Sequence, residues 1–254
     1  MGTGVWQWLR RWREQSALKR RAIPDALWRR TLKRFPFLPR EGLEGEQLRR
    51  LSSLFLDAKE FSGAQGLQVT DDMAVAVAAQ ACLPVLHLGL APYRRFVGIV
   101  IHPSAVVAHR EITDEDGVVH HIEETLSGEA IDGGPVMLSW RDVRASGASA
   151  ADGYNVVIHE FAHVLDMAYG LSQDQPALPP HMPHTLWIET LHSAHQRLCD
   201  QVGREESPYL DPYACEGLEE FFAVSTEAFF VAPHALQEGA PEWYAQLQSF
   251  YRRT

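Results

Sequence analysis

The 254-residue sequence predicts an α+β fold with a small mixed sheet and a mostly helical C-terminal half. Three observations predict it. Short β-rich segments lie between residues 96 and 140, apolar residues at helical spacing dominate the chain after residue 155, and 46% of residues are hydrophobic. This length and composition are sufficient for a buried core, so we expect a folded domain in which strands and helices are largely segregated along the chain.

The first 40 residues form a basic arm. They hold eleven Lys and Arg against Glu14 and Asp25, although the whole chain has a net charge of −10. Tryptophans and leucines interleave with the arginines, which predicts an amphipathic helical extension whose tryptophans pack on the main body. The alternative is a surface helix that binds nucleic acid or anionic lipid. We therefore expect a basic helical N-terminal arm, residues 1–40, and a main domain, residues 41–254.

Helical and strand patterns follow the arm. Leucines spaced near 3.6 residues predict a helix over 45–61, and alanine-rich residues behind Asp71 and Asp72 predict a second over 70–82. Segments rich in aromatic and β-branched residues then predict three strands, over 96–102, 118–125 and 135–140. Together these strands predict a small mixed sheet.

The remainder of the chain is predicted to be mainly helical. Residues 155–169 carry apolar side chains at helical spacing, and Gly170 is placed to end that helix. Residues 171–183 are rich in Pro, Gln, Ser and Asp, which predicts a loop. Further helices are expected over 184–202, 218–230 and 242–251.

Several protein classes do not fit this sequence. It has no apolar stretch of the roughly 20 residues that span a bilayer, and its first residues lack the apolar segment of a secretory signal. Cys82, Cys199 and Cys215 are odd in number and widely scattered, which argues against a disulfide framework. We expect a cytoplasmic protein with no membrane span. Direct nucleic-acid binding is not expected, because the chain beyond the arm is acidic.

The segment His159-Glu160-Phe-Ala-His163 carries the strongest chemical signal. It fits H-E-x-x-H, and a helix places residues i and i+4 on one face, so both imidazoles can reach one ion. Glu160 then lies beside the metal, where it can take a proton from water. Asp166, one turn beyond His163, is positioned to accept a ring N–H hydrogen bond from behind a ligand.

The third protein ligand must come from elsewhere in the chain. The extended pattern with Gly three and His six residues after the motif is excluded, since the chain has Asp166 and Tyr169 there. A downstream carboxylate is favoured, and Glu220 lies in an apolar helical segment where a buried acid needs a counter-charge. The alternatives are Glu216, Glu219 and Glu227, with His192 and His195 as less favoured candidates.

Two motifs together resemble a known family. The segments His159-Glu-Phe-Ala-His163-Val-Leu-Asp166 and Tyr213-Ala-Cys-Glu-Gly-Leu-Glu-Glu220 are similar to those of the Mlc titration factor A family, and the similarity covers most of residues 20–251. The resemblance implies a zincin-like metallopeptidase domain of the HEXXH gluzincin type, with a catalytic core related to anthrax lethal factor. It also implies aminopeptidase activity, and binding of the transcription repressor Mlc in enterobacteria.

The resemblance implies a role for each site residue. His159, His163 and Glu220 match the family's ligands for one Zn²⁺, and Glu160 matches its general base. Tyr213 matches a tyrosine that would hydrogen-bond the oxyanion. Peptide hydrolysis by a zinc-activated water is then expected, with Glu160 as the base.

Substrate and partner are expected from the same reasoning. A peptide substrate could lie antiparallel along an edge strand, for which residues 135–140 are the candidate, and Glu129 could capture its amine. The alternative function is a regulatory binding protein that sequesters an Mlc-like transcription repressor, with the zinc site auxiliary. The intact Glu160 favours catalysis over a purely structural zinc site.

Overall fold

The structure is a computed structural model that describes the backbone of residues 3–113 and 119–252 and the side chains of residues 6, 8, 11–106 and 127–252. Its α-helices are α1 (Thr3–Arg20), α2 (Asp25–Arg34), α3 (Gly42–Ala58), α4 (Asp71–Cys82), α5 (Trp140–Ser149), α6 (Val156–Tyr169), α7 (His184–Gly203), α8 (Leu218–Val231), α9 (Pro233–Gly239) and α10 (Pro241–Arg252). Its strands are β1 (Glu60–Gly63), β2 (Gly98–His102), β3 (Val106–Thr113), β4 (Val119–Leu126), β5 (Gly128–Ala130) and β6 (Val136–Ser139). The α+β class is confirmed.

The main sheet has four strands in the order β1-β2-β6-β5. β1, β2 and β6 run parallel, whereas β5 pairs antiparallel with β6, with Gly128 opposite Leu138 and Ala130 opposite Val136. The sheet is therefore mixed, as predicted. β5 is the outer strand of this sheet among the described strands.

A separate two-stranded sheet lies between β2 and β5 in the chain. β3 and β4 pair antiparallel from Val106 opposite Leu126 to Thr113 opposite Val119. The predicted strand over 118–125 is the second arm of this hairpin, and its partner β3 was not predicted. Among the described strands, β3 and β4 pair with each other and not with a strand of the main sheet.

The predicted elements after residue 40 are mostly present, with shifted ends. The helix predicted over 45–61 ends at Ala58, because residues 60–63 leave the helix and pair with β2 as β1. The strand predicted over 135–140 ends at Ser139, whose side chain caps α5 by accepting a hydrogen bond from the Asp142 N–H. α5, α9 and β5 are short elements that the sequence patterns did not reveal.

Helix α6 forms as the sequence predicts. Asn155 caps its first turn by accepting a hydrogen bond from the Ile158 N–H, and Gly170 ends it in the left-handed conformation, with φ of +63°. Val157, Ile158 and Phe161 are fully buried between these ends. The helix that carries the H-E-x-x-H motif is thus capped at both ends and buried in the core between them.

The basic arm has two differently packed halves. In α2, Trp28 and Leu32 are buried in the same core as the rest of the chain. In α1, however, Trp6, Trp8 and Trp12 are 74%, 62% and 56% exposed. The expectation that the arm's tryptophans pack on the main body is therefore correct for Trp28 and wrong for these three. The division of the chain at residue 40 stays a prediction.

Among the helices that the structure describes, none combines the length and the apolar composition that crossing a bilayer requires.

Candidate metal centre

Two histidines from α6 converge at the centre of the site. His159 and His163 are one turn apart, and their Nε2 atoms lie 3.1 Å from each other. Both side chains are largely buried, with 13% and 18% of their surface exposed. The helical spacing predicted from the sequence thus brings the two imidazole nitrogens to one point.

Helix α8 adds a carboxylate to this pair. Oε2 of Glu220 lies 3.2 Å from Nε2 of His159 and 3.5 Å from Nε2 of His163. Four-coordinate zinc with bonds of about 2.0–2.1 Å separates neighbouring ligand atoms by about 3.3 Å, so the three atoms have the spacing of a tetrahedral face. They also form the group with metal-ligand geometry that the described residues contain.

The donor set fits a cation rather than a hydrogen-bonded cluster. Oε2 of Glu220 is buried and accepts no hydrogen bond from any described residue. Its nearest neighbours are the two Nε2 atoms, and a buried carboxylate oxygen without a donor is costly. A metal ion between these three atoms would accept one lone pair from each of them.

Glu227 lies on the Nδ1 side of the His159 ring, opposite to Glu220. From the sequence it was only an alternative ligand. Its Oε1 is 2.7 Å from Nδ1 of His159, and its Oε2 accepts the backbone N–H of Asn155. When Glu227 is ionised it can only accept a hydrogen bond, so Nδ1 of His159 carries the proton, and the neutral ring then has its lone pair on Nε2, where a metal ion can bind. Glu227 therefore fixes the tautomer and orientation that metal binding requires.

The start of α6 is tied to α4 by buried amides. The Asn155 side chain donates from Nδ2 to Oε1 of Gln80 over 2.9 Å, while its Oδ1 caps the helix. Gln80 in turn donates to the Ala76 carbonyl. Asn155 and Gln80 are fully buried, so this network holds the helix of the candidate metal centre in a fixed position.

Glu160 lies beside the group of ligand atoms and is 5% exposed. Burial raises the pKa of its carboxyl to about 7, even though the neighbouring His159 and His163 lower it. Burial also raises the pKa of Glu220, but the close approach of the two imidazoles, whose Nε2 atoms lie 3.2 and 3.5 Å from Oε2, outweighs this and lowers it to about 2. The two glutamates thus differ in chemistry: Glu220 stays ionised, and Glu160 is suited to exchange a proton near neutral pH.

Edge strand β5 packs directly on Glu160. A Cβ atom at Gly128 would overlap Oε1 of Glu160, so only glycine lets the strand approach the carboxylate. β6, over Val136–Ser139, lies between β2 and β5, and the expectation that residues 135–140 form the edge strand is therefore wrong. The edge at the site belongs to Gly128–Ala130, which also places Glu129 on the cleft.

The structure places the other predicted site residues as follows. The ring of Tyr213, on the 3₁₀ helix Pro212–Cys215, is centred 6.2 Å from that of His159, and its side chain is 38% exposed. Asp166 does not contact a ligand ring among the described residues. Its carboxylate instead accepts hydrogen bonds from the N–H and Oγ of Ser172, which fixes the turn after α6.

The remaining candidate ligands do not join the three converging atoms, although Glu219 borders the same cavity as Glu220. His195 contacts Cys199 and the ring of Phe221, and Glu216 and Glu219 are exposed to solvent. His192 is also exposed. Of the carboxylates considered, Glu220 is the one whose oxygen lies with the two imidazole nitrogens.

Two cavities meet at the metal-ligand group. The first, of about 430 Å³, extends from His159 and Glu160 towards α8 and α9; the second, of about 360 Å³, opens past His163 and Glu220. The two cavities share Gly128, His159, Glu160 and Tyr213 as lining residues, so both border the candidate metal centre.

Sequence reasoning missed the roles of Gly128, Gln80 and Asn155. Asn155 directly precedes an apolar helical pattern, and that position is a recognised helix-cap signal. Gly128 and Gln80 have no comparable local signal. Their roles depend on contacts with residues far along the chain.

Comparison with known proteins gives consistent matches. A protein of Synechocystis sp., called uncharacterized, is 35% identical over 246 residues, 94% of this chain and 88% of its own length. Mlc titration factor A of Pectobacterium atrosepticum is 34% identical over 212 residues, 83% of this chain and 79% of its own. Mlc titration factor A of Edwardsiella ictaluri is 36% identical over 214 residues, 83% of this chain and 80% of its own.

The family model described as glucose-regulated metallo-peptidase M90 matches residues 9–252, and the resemblance to the Mlc titration factor A family is confirmed. With the group of His159, His163 and Glu220, this match indicates a metal-binding peptidase fold. The chain belongs to the glucose-regulated metallo-peptidase M90 family.

Proposed function

We propose that this protein is a zinc-dependent peptidase, with His159, His163 and Glu220 as the zinc ligands. The observation that carries the proposal is the convergence of their three ligand atoms, 3.1–3.5 Å apart, beside the buried carboxyl of Glu160. Two imidazoles and one carboxylate are the ligands of several catalytic zinc sites, which leave a further position for water or substrate. Family membership supports a peptidase.

In this proposal Glu160 is the general base. A zinc ion held by the three ligands would supply a Lewis acid for the carbonyl oxygen and lower the pKa of the attacking water. Glu160 takes the proton of that water and delivers it to the nitrogen of the leaving amine, which its raised pKa near neutrality favours. Glu227 keeps His159 in the tautomer that presents Nε2 throughout.

Tyr213 is proposed to donate a hydrogen bond to the carbonyl oxygen as that oxygen gains negative charge. Its ring lies beside that of His159, and its side chain borders both cavities of the cleft. Its partial exposure leaves it able to reach a substrate in the cleft.

We propose aminopeptidase action on short peptides as the form of this activity. β5 is the outer strand of the described main sheet and lies next to Glu160, and an extended peptide can add to a strand at the edge of a sheet. Glu129 follows Gly128 on that strand and borders the cleft, where its carboxylate would attract a free amine.

The proposal is tested by hydrolysis of an alanine chromogenic substrate by protein of measured metal content. Wild type, Glu160→Gln and a chelator-treated sample later given zinc are compared. We expect Glu160→Gln and the chelated wild type both to lack activity. Adding zinc should restore activity to the chelated wild type and not to Glu160→Gln. His163→Gln should lose zinc and activity, whereas the exposed His192→Gln should keep both.

Two results would contradict the assignment. Full activity of zinc-loaded Glu160→Gln would exclude Glu160 as the base. Stoichiometric zinc without hydrolysis of this substrate or of a broad peptide library would instead favour the second candidate function.

That second function is binding of a transcription repressor similar to Mlc. The names of the relatives support it, because Mlc titration factor A proteins match 83% of this chain. A repressor acts in the cytoplasm, so a cytoplasmic location is part of this proposal. Co-purification of the chain with a repressor from the same cells, measured with and without zinc, separates a regulatory role from a purely catalytic one.

A further inference from the structure

Helix α1 leaves its tryptophans uncovered by the rest of the protein. Trp6, Trp8 and Trp12 are 74%, 62% and 56% exposed, which makes them the most exposed aromatic side chains among the described residues. Of the described side chains of α1, Ala17 is the one that is buried. Single apolar residues on a surface are normal, but three large indole rings on one exposed helix indicate an interaction surface.

The contacts of α1 with α3 lie beyond these tryptophans. Glu14 forms an ion pair with Arg50, and Arg20 forms one with Asp57 over 2.9 Å. Ala17, between the two pairs, is buried. The second half of α1 is therefore attached to the main body, and all three tryptophans precede these contacts in the chain.

Positive charge surrounds the tryptophans. α1 contains five Lys and Arg and one acid, Glu14, which is already held in an ion pair. The side chains of Arg11 and Arg13, on either side of Trp12, are exposed. The basic arm as a whole has eleven basic residues against two acidic ones, in a chain of net charge −10. This end of the protein thus attracts an anionic partner, although the protein is acidic.

Tryptophan and arginine together are suited to the surface of an anionic lipid bilayer. An indole ring has an apolar body and a polar N–H, so it prefers the boundary between lipid headgroups and acyl chains. Lys and Arg beside it are attracted to negatively charged headgroups. A helix that combines both can bind a bilayer peripherally, without crossing it.

The arrangement of the rings around α1 favours lipid over a folded partner or a nucleic acid. Trp8 and Trp12 are one turn apart and share a face, whereas Trp6 lies about 160° from Trp8 around the helix. A rigid surface would cover one side of the helix, and bases that stack on aromatic rings need those rings along one track. Fluid headgroups can instead surround the end of a helix that is about 10 Å wide and cover rings on several sides.

From these observations we infer that Trp6, Trp8 and Trp12, with Arg11 and Arg13, form a binding surface for an anionic phospholipid bilayer. The indoles enter the headgroup layer and the arginines contact the anionic headgroups. This inference goes beyond the proposed peptidase function and does not depend on it.

Vesicle flotation of the full chain tests the inference. The protein is mixed with vesicles of phosphatidylcholine alone, or of equal parts of phosphatidylcholine and phosphatidylglycerol. We expect binding to the anionic vesicles that is at least tenfold tighter than to the neutral ones and that weakens as salt is added. Tryptophan emission should shift to shorter wavelength when the anionic vesicles are added. Absence of binding to them, or equal binding to both kinds, would overturn the inference.

Variants of the indoles locate the surface. Trp8→Ser combined with Trp12→Ser should weaken binding to the anionic vesicles at least tenfold. The matched control Leu186→Ser removes an exposed apolar side chain from α7 and should bind like wild type. Both tryptophans are exposed, so the melting curve of the double variant should match that of wild type. Unchanged vesicle binding by the double variant would overturn the inference.

Variants of the charges test the anionic headgroup contact. Arg11→Gln combined with Arg13→Gln should weaken binding about tenfold or more, since each basic residue near the surface contributes to the attraction. Arg144→Gln is the control, because it removes an exposed arginine of α5 outside the arm. Equal binding by the double variant and the control would overturn the role of charge.

Other partners give different results in the same samples. Self-association without lipid that is lost in the double tryptophan variant would assign the surface to a second copy of the chain and overturn the inference. Tighter binding to a single-stranded oligonucleotide than to the anionic vesicles, at equal salt, would assign the surface to nucleic acid and also overturn it. Zinc content should be the same in the double tryptophan variant and wild type, because α1 does not border either cavity at the candidate metal centre.

Discussion

The Nδ1 atom of His159 lies 2.7 Å from Oε1 of Glu227, on the side of the ring opposite to Glu220. Glu220 and Glu227 are seven residues apart on α8, so two turns of one helix present both carboxylates towards the same imidazole. One helix thereby provides a candidate ligand in front of the ring and the acceptor behind it. The position of α8 relative to α6 consequently determines the geometry of the whole site.

Replacing Glu227 should weaken metal binding without removing a ligand. In Glu227→Gln the amide keeps the shape of the carboxylate but loses its charge, so His159 is held less firmly and its nitrogen becomes less basic. We expect zinc affinity to fall about 10–100-fold, as is typical for residues behind metal-ligating histidines. Competition with a chromogenic chelator measures this affinity.

Glu216→Gln is the matched control, because it removes an exposed carboxylate that does not contact the ligand group. Its zinc affinity should equal that of wild type. An equal affinity for Glu227→Gln and wild type would show that the contact with His159 does not support metal binding.

Removal of the metal should lower the stability of the fold. Without a cation, the buried Oε2 of Glu220 has no hydrogen-bond donor among the described residues. Zinc that binds only the folded state at about 100 times its Kd adds about 2.7 kcal/mol to the free energy of unfolding. Melting curves of chelated and zinc-loaded protein measure the difference.

Glu220→Gln should lose most of this zinc-dependent shift in Tm, while the exposed neighbour variant Glu219→Gln should retain it. A full shift in Glu220→Gln would mean that another residue is the third ligand.

A methyl group at position 128 should impair catalysis while sparing the metal. In Gly128→Ala the new Cβ would overlap the Glu160 carboxylate, which must then move away from its position beside the ligands. Because a displacement of about 1 Å can reduce the rate by about 100-fold, we expect a loss of about 10–100-fold in kcat/KM. Zinc content by elemental analysis should remain stoichiometric.

Gly203→Ala is the control for this variant, since a Cβ there meets no atom within 4 Å. Wild-type activity of Gly128→Ala would show that Glu160 does not need its observed position.

The two halves of the basic arm should differ in their importance for folding. Deletion of residues 1–22 removes α1, which contributes the buried Ala17 and exposed ion pairs such as Arg20 with Asp57, worth about 0–1 kcal/mol each. Deletion of residues 1–40 also removes buried Trp28 and Phe35. Because losing one such side chain costs about 3–5 kcal/mol, we expect the shorter deletion to fold and the longer one to unfold.

Circular dichroism and urea unfolding distinguish these outcomes. A stable protein after deletion of residues 1–40 would support the proposed boundary between the arm and the main domain. Instability would place α2 within the main domain.

Local sequence patterns predicted α6 closely because its signals are local. The apolar spacing and Gly170, which predicted it, lie within or next to the helix, and so does the cap at Asn155, which the prediction did not use. β5 escaped prediction because three residues carry no periodicity, and its pairing with β6 depends on a partner eight or so residues away. The end of α3 at Ala58 was also missed, since residues 60–63 become a strand only through pairing with β2.

The candidate site residues also divide into those placed by local spacing and those placed only by long-range packing. The motif spacing placed His159 and His163 on one face, because four residues make about one helical turn. Glu220 could not be separated from Glu216, Glu219 and Glu227 by residue type alone, and the family resemblance was needed to favour it. The described hydrogen bonds of Asp166 come from the N–H and Oγ of Ser172, and its assignment to a ligand ring stays a prediction.

By itself, the sequence determined the helix that carries the motif, its two ends and the chemistry of a paired-imidazole site with a carboxylate between them. Only the tertiary structure decided which carboxylate faces the imidazoles, which one lies behind His159, and which strand edge borders Glu160. The physical reason is range: helix capping and periodicity act over a few residues, whereas the packing of α8 on α6 and the close approach of Gly128 join residues about 30–70 positions apart.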